Sequence, residues 1–162
     1  MVRYHIFGAR GKVGDPDEML RRLRSIHEGE VLALDADLVC GEDHLRSAVE
    51  HALRSFARHS NSSNNVMLET LLYASGERQI AKAQEKMTVK PEADRTAFVS
   101  FGPEPETVLD LLSLSRDDSV LLCSAEKVLR FGIRPEEIEA VGGSKAADLV
   151  LERVAFVEII KR

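Results

Sequence analysis

Leu45, Ala48, Val49, Ala52, Leu53 and Phe56 recur at three- and four-residue steps, and this stripe constrains the fold more than any other part of the chain. Only an α-helix gathers such positions on one face, so the segment predicts a long amphipathic helix turned toward a core. Its outer face carries Arg46, Glu50, Arg54 and Arg58 at four-residue intervals, with Glu50 placed to pair with either neighbouring Arg. With 162 residues, 44% of them hydrophobic, the chain is long enough to bury such a helix in one substantial core. A single domain over residues 1–162 is the expectation.

Around this helix the pattern alternates between strand and helix signals. Val2 to Ala9 is rich in β-branched and aromatic residues and predicts a strand. Asp15-Pro16 predicts a capped helix start, with Met19, Leu20, Leu23 and Ile26 as its apolar face and Gly29 as its stop. Glu30 to Leu34 predicts a short strand. The polar break Asn61 to Asn65 offers a cap for a buried helix from Val66 to Tyr73, and Glu77 to Met87 resumes as another helix. Arg95 to Phe101 predicts a strand, and Pro103 to Leu112 a helix with acids in its first turn. Shorter helices are expected near Ser124, Pro135 and Ser144. The last segment, Val150 to Ile160, is apolar on both faces around Val154-Ala155-Phe156-Val157 and is expected as a central or covered strand. The fold class is therefore α/β (α+β), a mixed sheet of about four strands packed with many helices.

Charge and cysteine usage narrow the function. A net charge of −5 opposes non-specific coating of nucleic acid. Yet between residues 44 and 90 Arg46, Arg54, Arg58, Arg78, Lys82, Lys86 and Lys90 outnumber Glu50, Glu69, Glu77 and Glu85, a local field suited to a small nucleic-acid contact or simply to solvated helix faces. Cys40 and Cys123 have no zinc or redox spacing and are expected unpaired, as in a reducing cytoplasm. No apolar run approaches a membrane span and the first residues lack a secretory stretch, so no membrane contact is expected.

Catalytic signatures are missing: there is no G-x-S-x-G elbow, H-E-x-x-H pair or complete phosphate loop. Gly142-Gly143-Ser144-Lys145 is better explained as a helix stop and cap, and Gly8-Ala9-Arg10-Gly11 is too short for a dinucleotide fingerprint. Asp35 and Asp37, with Glu42, Asp43 and His44 close behind, form the best carboxylate cluster, able in principle to hold a metal or divide acid and base roles, but better explained as caps for backbone N–H groups. Tyr73-Ala74-Ser75-Gly76-Glu77-Arg78-Gln79-Ile80 puts a Ser-Gly junction at a helix start, where free N–H groups favour an anion. Arg78, Lys82 and Lys86 follow on one face, and a base next to the phosphate would stack on Tyr73. The competing reading is a tight helix corner with a buried Tyr.

Leu71-Leu72-Tyr73-Ala74-Ser75-Gly76-Glu77-Arg78-Gln79-Ile80 also resembles the signature of the small subunit of the KEOPS complex, the kinase-binding family that includes human TPRKB, in its archaeal form. Asp35-Ala36-Asp37, Gly41, His44-Leu45, Ala48 to Leu53 and Leu149 to Ala155 resemble further stretches of that family in the same order. The resemblance implies a non-catalytic, cytoplasmic regulatory subunit in tRNA processing, specifically threonylcarbamoyladenosine formation, with no cofactor and no metal. Its implied partners are the kinase-like ATPase subunit, which it binds and stimulates, and the single-stranded 3′ CCA end of tRNA. The expected tRNA-binding residues are Tyr73, Ser75, Gly76, Arg78, Gln79, Ile80, Lys82 and Lys86; Val154, Phe156, Ile159 and Ile160 are expected at the kinase-subunit interface. Asn64 departs from the pattern, standing where archaeal members carry Lys. The alternatives are a structural kinase-binding subunit without tRNA contact and a small metal-dependent enzyme using Asp35, Asp37 and His44.

Overall fold

A computed structural model describes residues 3–161, which divide into two compact units, 3–37 with 88–121 and 38–87 with 122–161. The first unit holds the sheet. Strands β1 (His5–Arg10), β2 (Glu30–Asp35), β3 (Arg95–Phe101) and β4 (Ser115–Arg116) lie in the order β2-β3-β1-β4, and all three pairings are antiparallel where a mixed sheet was expected. Val2, the expected start of the first strand, lies outside the described residues. Register places Phe7 opposite Phe98 and Phe98 opposite Ala33, so these residues share one face of the sheet. The two rings stack with centroids 5.2 Å apart. Helices α1 (Pro16–Arg24) and α5 (Pro105–Leu112) bring Met19, Leu23, Val108 and Leu109 into that cluster. The Asp15 side chain caps α1 by accepting from Asp17 N–H at 3.1 Å, and Pro16 opens it, as the sequence predicts.

Gly8 is needed for a close approach and not for a nucleotide. A Cβ there would lie 2.4 Å from Val120 Cγ2 and 2.6 Å from Asp117 O. The bare backbone lets Gly8 N–H donate to the Asp118 carboxylate and Asp117 N–H donate to Gly8 O, each at 2.9 Å.

The second unit is helical: α2 (Glu42–Ala57), α3 (Val66–Ser75), α4 (Ile80–Met87), α6 (Ala125–Phe131), α7 (Pro135–Val141) and α8 (Ala146–Ile160). Helix α2 buries Leu45, Ala48, Val49 and Ala52 of the stripe read from the sequence, while Leu53 and Phe56 are half-buried. Asn65 caps α3, accepting from Leu68 N–H at 3.1 Å. Helix α8 corrects the expected last strand. Ala146, Val150, Val154 and Val157 are buried at four-, four- and three-residue steps, a helical face that the β-branched side chains disguise. The fourth strand is instead the two-residue β4. Among the described residues, no helix is long and apolar enough to cross a membrane.

Cysteine usage also departs from expectation. Cys40 and Cys123 are joined as a disulfide across 83 residues of sequence, with their Cα atoms 4.0 Å apart. The two half-cystines belong to a small core with Val128, Phe131, Ile133, Ala146 and Val150. His44 lies beside it, wholly buried. Its Nδ1 accepts from Cys40 N–H at 3.0 Å, which leaves Nε2 as the protonated nitrogen donating to Ala74 O at 2.8 Å. Burial, with Lys86 and Lys127 adding positive charge, lowers the His44 pKa to about 4, although the bond to Ala74 O opposes the shift.

Two expectations follow. Gly8→Ala, whose cost is the collision with Asp117 and Val120, should destabilise the protein by about 1–3 kcal/mol in urea unfolding. For His44 the folded-state pKa lies below the unfolded one, so the unfolded chain binds the proton first. Its contribution is intact above about pH 6.5 and is lost as pH falls toward 4, by about 3 kcal/mol in all. Unfolding curves across that range should show this loss, and His44→Gln should flatten that part of the profile.

Candidate functional site

The corner between α3 and α4 begins at a helix end, not at the helix start expected from sequence. Gly76 is the left-handed C-cap of α3 (φ 72°), and its N–H donates to Tyr73 O. Three residues of turn follow, and α4 begins only at Ile80. Ser75 is buried: its hydroxyl donates to Leu72 O at 2.8 Å and accepts from Glu77 N–H at 3.0 Å. Arg78 and Gln79 are exposed, and Ile80 is half-buried. Arg78 and Gln79 lead directly into the opening N–H groups of α4, so the helix start lies a few residues later than the sequence placed it.

Lysines 82 and 86 separate in role. Lys82 is exposed beside Glu85, 3.8 Å away. Lys86 instead folds back over the corner, donating to Ser75 O at 2.7 Å with its ammonium 3.7 Å from the centre of the Phe131 ring. It thereby satisfies a free carbonyl at the end of α3, where the helix dipole favours a cation. Burial pushes its pKa below the ordinary lysine value, against the pull of Glu77. The corner is closed from beneath by residues the sequence did not single out. A Cβ on Gly76 would lie 3.3 Å from the Phe131 ring and 3.5 Å from Arg153 Cβ.

Tyr73 is not a stacking platform for a base. The side chain is 0% exposed, its ring stacks on His51 at 5.1 Å, and Lys161 lies 4.9 Å from its centre. Its hydroxyl donates to Glu158 at 2.5 Å and shares a 2.8 Å hydrogen bond with Ser55. Burial first, then the Glu158 carboxylate, raises the phenol pKa. What Tyr73 supplies is support, tying α3 to α2 and α8.

The residues expected at the partner interface divide by helical geometry. Val154 is buried and belongs to the core, a correction that follows from α8 being a helix. Phe156 and Ile159, three residues apart, point outward and are 49% and 75% exposed; Ile160 is half-buried. With Glu152, Arg153 and Ala155 they line a shallow groove along α8. Arg153 is held there by Glu137 of α7. A strand reading assigns Val154 and Phe156 to one side; the helix separates them.

The polar cluster serves local structure. Asp35 accepts from Asp37 N–H at 3.0 Å, Asp37 pairs with Arg95 at 3.0 Å, and both nitrogens of His44 are engaged as described above. Among the described residues no group of three or more His, Cys, Asp or Glu is placed to hold a metal ion. On α2, Arg46 pairs with Glu42 of the first turn and not with Glu50.

Comparison with known proteins bears on these surfaces. The family model described as kinase binding protein CGI-121 matches residues 12–135, which include the whole α3–α4 corner and stop short of α8. No curated protein matches the chain significantly. The match extends over most of the chain and is to the family whose signature the Leu71–Ile80 stretch resembles, so the chain belongs to the kinase binding protein CGI-121 family.

Proposed function

We propose that this chain is the non-catalytic adaptor of a KEOPS-type complex, binding and stimulating the kinase-like ATPase subunit and gripping the 3′ CCA end of tRNA for threonylcarbamoyladenosine formation in the cytoplasm. The observation that carries the reading is the outer face of α8: a family of kinase-binding proteins needs a docking surface, and here Phe156 and Ile159 stand in solvent beside a shallow groove. Large exposed apolar side chains on one helix face supply the buried centre of an interface once a partner covers them. The tRNA role is supported by the corner, where exposed Arg78 and Gln79 lie next to the opening N–H groups of α4. Ile80 and Lys82 border that turn, while Tyr73, Ser75, Gly76 and Lys86 hold its shape.

The burial of Tyr73 and the engagement of Lys86 with Ser75 O favour a second reading, a structural kinase-binding subunit without tRNA contact. Tyr73, Ser75 and Lys86, three of the expected contacts, are already used inside the protein. The discriminating measurement is binding to intact tRNA and to tRNA trimmed of its CCA end, at matched low and moderate salt. The adaptor reading expects tight binding that requires the CCA end; absence of binding to both leaves the kinase-binding role alone.

Ile159→Glu should abolish co-elution with the kinase-like subunit while leaving the circular dichroism and melting temperature near wild type, since Ile159 is exposed and the charge is costly only when a partner buries it. Arg78→Glu should weaken tRNA binding by about 1–3 kcal/mol and reduce its salt dependence, without touching kinase binding. Unchanged tRNA affinity in the folded variant would remove Arg78 from the site.

A further inference from the structure

We infer that Cys40–Cys123 is a redox modification site, and that its reduction loosens α6 beneath the α3–α4 corner. The connection runs through named contacts. Cys123 immediately precedes α6 and its Ser124 cap, so the disulfide fixes the start of that helix to the loop ahead of α2. A second tie is parallel to it: Lys127 of α6 donates to Val39 O at 2.9 Å. At the other end of α6, Phe131 meets the edge of the His44 ring, with centroids 5.3 Å apart, and carries the Lys86 ammonium on its face. His44 in turn donates to Ala74 O and Lys86 to Ser75 O, the last carbonyls before the Gly76 cap. The bond therefore restrains the segment on which the corner rests.

The surroundings also suit exchange with a thiol. Cys40 is buried and Cys123 half-buried, so an attacking thiolate reaches Cys123 Sγ first and expels Cys40 as the leaving group. Cys40 directly precedes Gly41, the N-cap of α2, and Lys127 donates to the carbonyl of its neighbour Val39, so a helix N-terminus and a cation attend this segment, and both favour a thiolate. With a dithiol as reductant the balance is complete. One reductant sulfur bonds to Cys123 as the sulfur–sulfur bond breaks, Cys40 thiolate takes a proton, and the second reductant thiol displaces Cys123. The protein gains two electrons and two protons, and the dithiol becomes a disulfide. In a reducing compartment a protein disulfide that can be reached in this way is more often a transient, sensing bond than a permanent one.

The effect on RNA rests on the corner's proposed role; the bond and its effect on α6 do not. The test uses the full chain in its oxidised form and after dithiothreitol, with Cys40→Ala/Cys123→Ala as a control that should not respond to reductant. Thiol titration of the denatured protein should find no thiol before reduction and both after it. Amide exchange in 125–131 and 74–80 should quicken at least tenfold on reduction, while β1 and β3 stay unchanged. The melting temperature should fall by about 10 °C. Affinity for a CCA-ended RNA should drop severalfold. Two free thiols in the protein as isolated, or a bond whose reduction leaves exchange over 125–131 and 74–80 unaltered, overturns the inference. Altered exchange with unaltered RNA affinity upholds it and counts against the corner as an RNA site.

Discussion

The helical unit depends on a buried ion pair between Glu69 on α3 and Lys161 just after α8. Their side chains are 0% and 6% exposed and meet at 2.8 Å. Two charges removed from water are stable only if every lone pair and proton is answered. Here the Glu69 carboxylate also accepts from the N–H groups of Ser62 and Ser63 and from the Ser63 hydroxyl, while Lys161 donates to Ser55 at 2.6 Å. Burial alone would raise the Glu69 pKa, but Lys161 and the serine N–H groups outweigh it and hold the carboxyl below its ordinary value. Burial likewise opposes the Lys161 charge, and Glu69 and Tyr73 restore it, leaving its pKa above the usual lysine value. The pair thus fixes the end of α8 against α2 and α3, and with it the direction in which Phe156 and Ile159 point.

Tyr73 lies at the junction between this network and the corner. Its hydroxyl contacts Ser55 and Glu158, and the residues that follow it form the C-terminal turn of α3. The Leu71–Ile80 signature therefore contains two kinds of residue. Leu72, Tyr73, Ala74 and Ser75 are buried and set the path of the chain, whereas Arg78 and Gln79 reach solvent. A short motif can be tightly specified by packing over most of its length and present few side chains to solvent.

Much of the architecture was legible because local chemistry and periodicity agreed. The Leu45–Phe56 stripe, the Asp15-Pro16 start, the helix start near Ser124 and the strands around Phe7, Leu32 and Phe98 all follow from residue type and spacing. Helix α8 was misread because Val150, Val154 and Val157 favour strands locally, while burial against α2, α3 and α6 decides otherwise. The two-residue β4 is shorter than any sequence pattern can mark. The Cys40–Cys123 bond joins positions far apart in sequence, so nothing local announces it. Within the corner, the sequence located the exposed Arg78, but it placed Tyr73 on the wrong side of the surface. An aromatic between apolar residues on a helix with no polar face reads equally as platform or core.

Reading α8 as a helix also changes what its apolar residues mean. On a covered strand, Val154, Phe156 and Ile160 would all be internal, and their hydrophobicity would need no partner. On a helix with Val150, Val154 and Val157 turned inward, Phe156 and Ile159 are surplus to the core. In a Phe that is 49% exposed and an Ile that is 75% exposed, three residues apart, a large part of the apolar surface stays in water and gains nothing from folding. Their location beside a groove gives that surface a use only when another molecule covers it. The inward residues of α8 thus account for its packing and leave the outward ones to the proposed kinase-subunit interface, a division that the periodicity of a strand cannot produce.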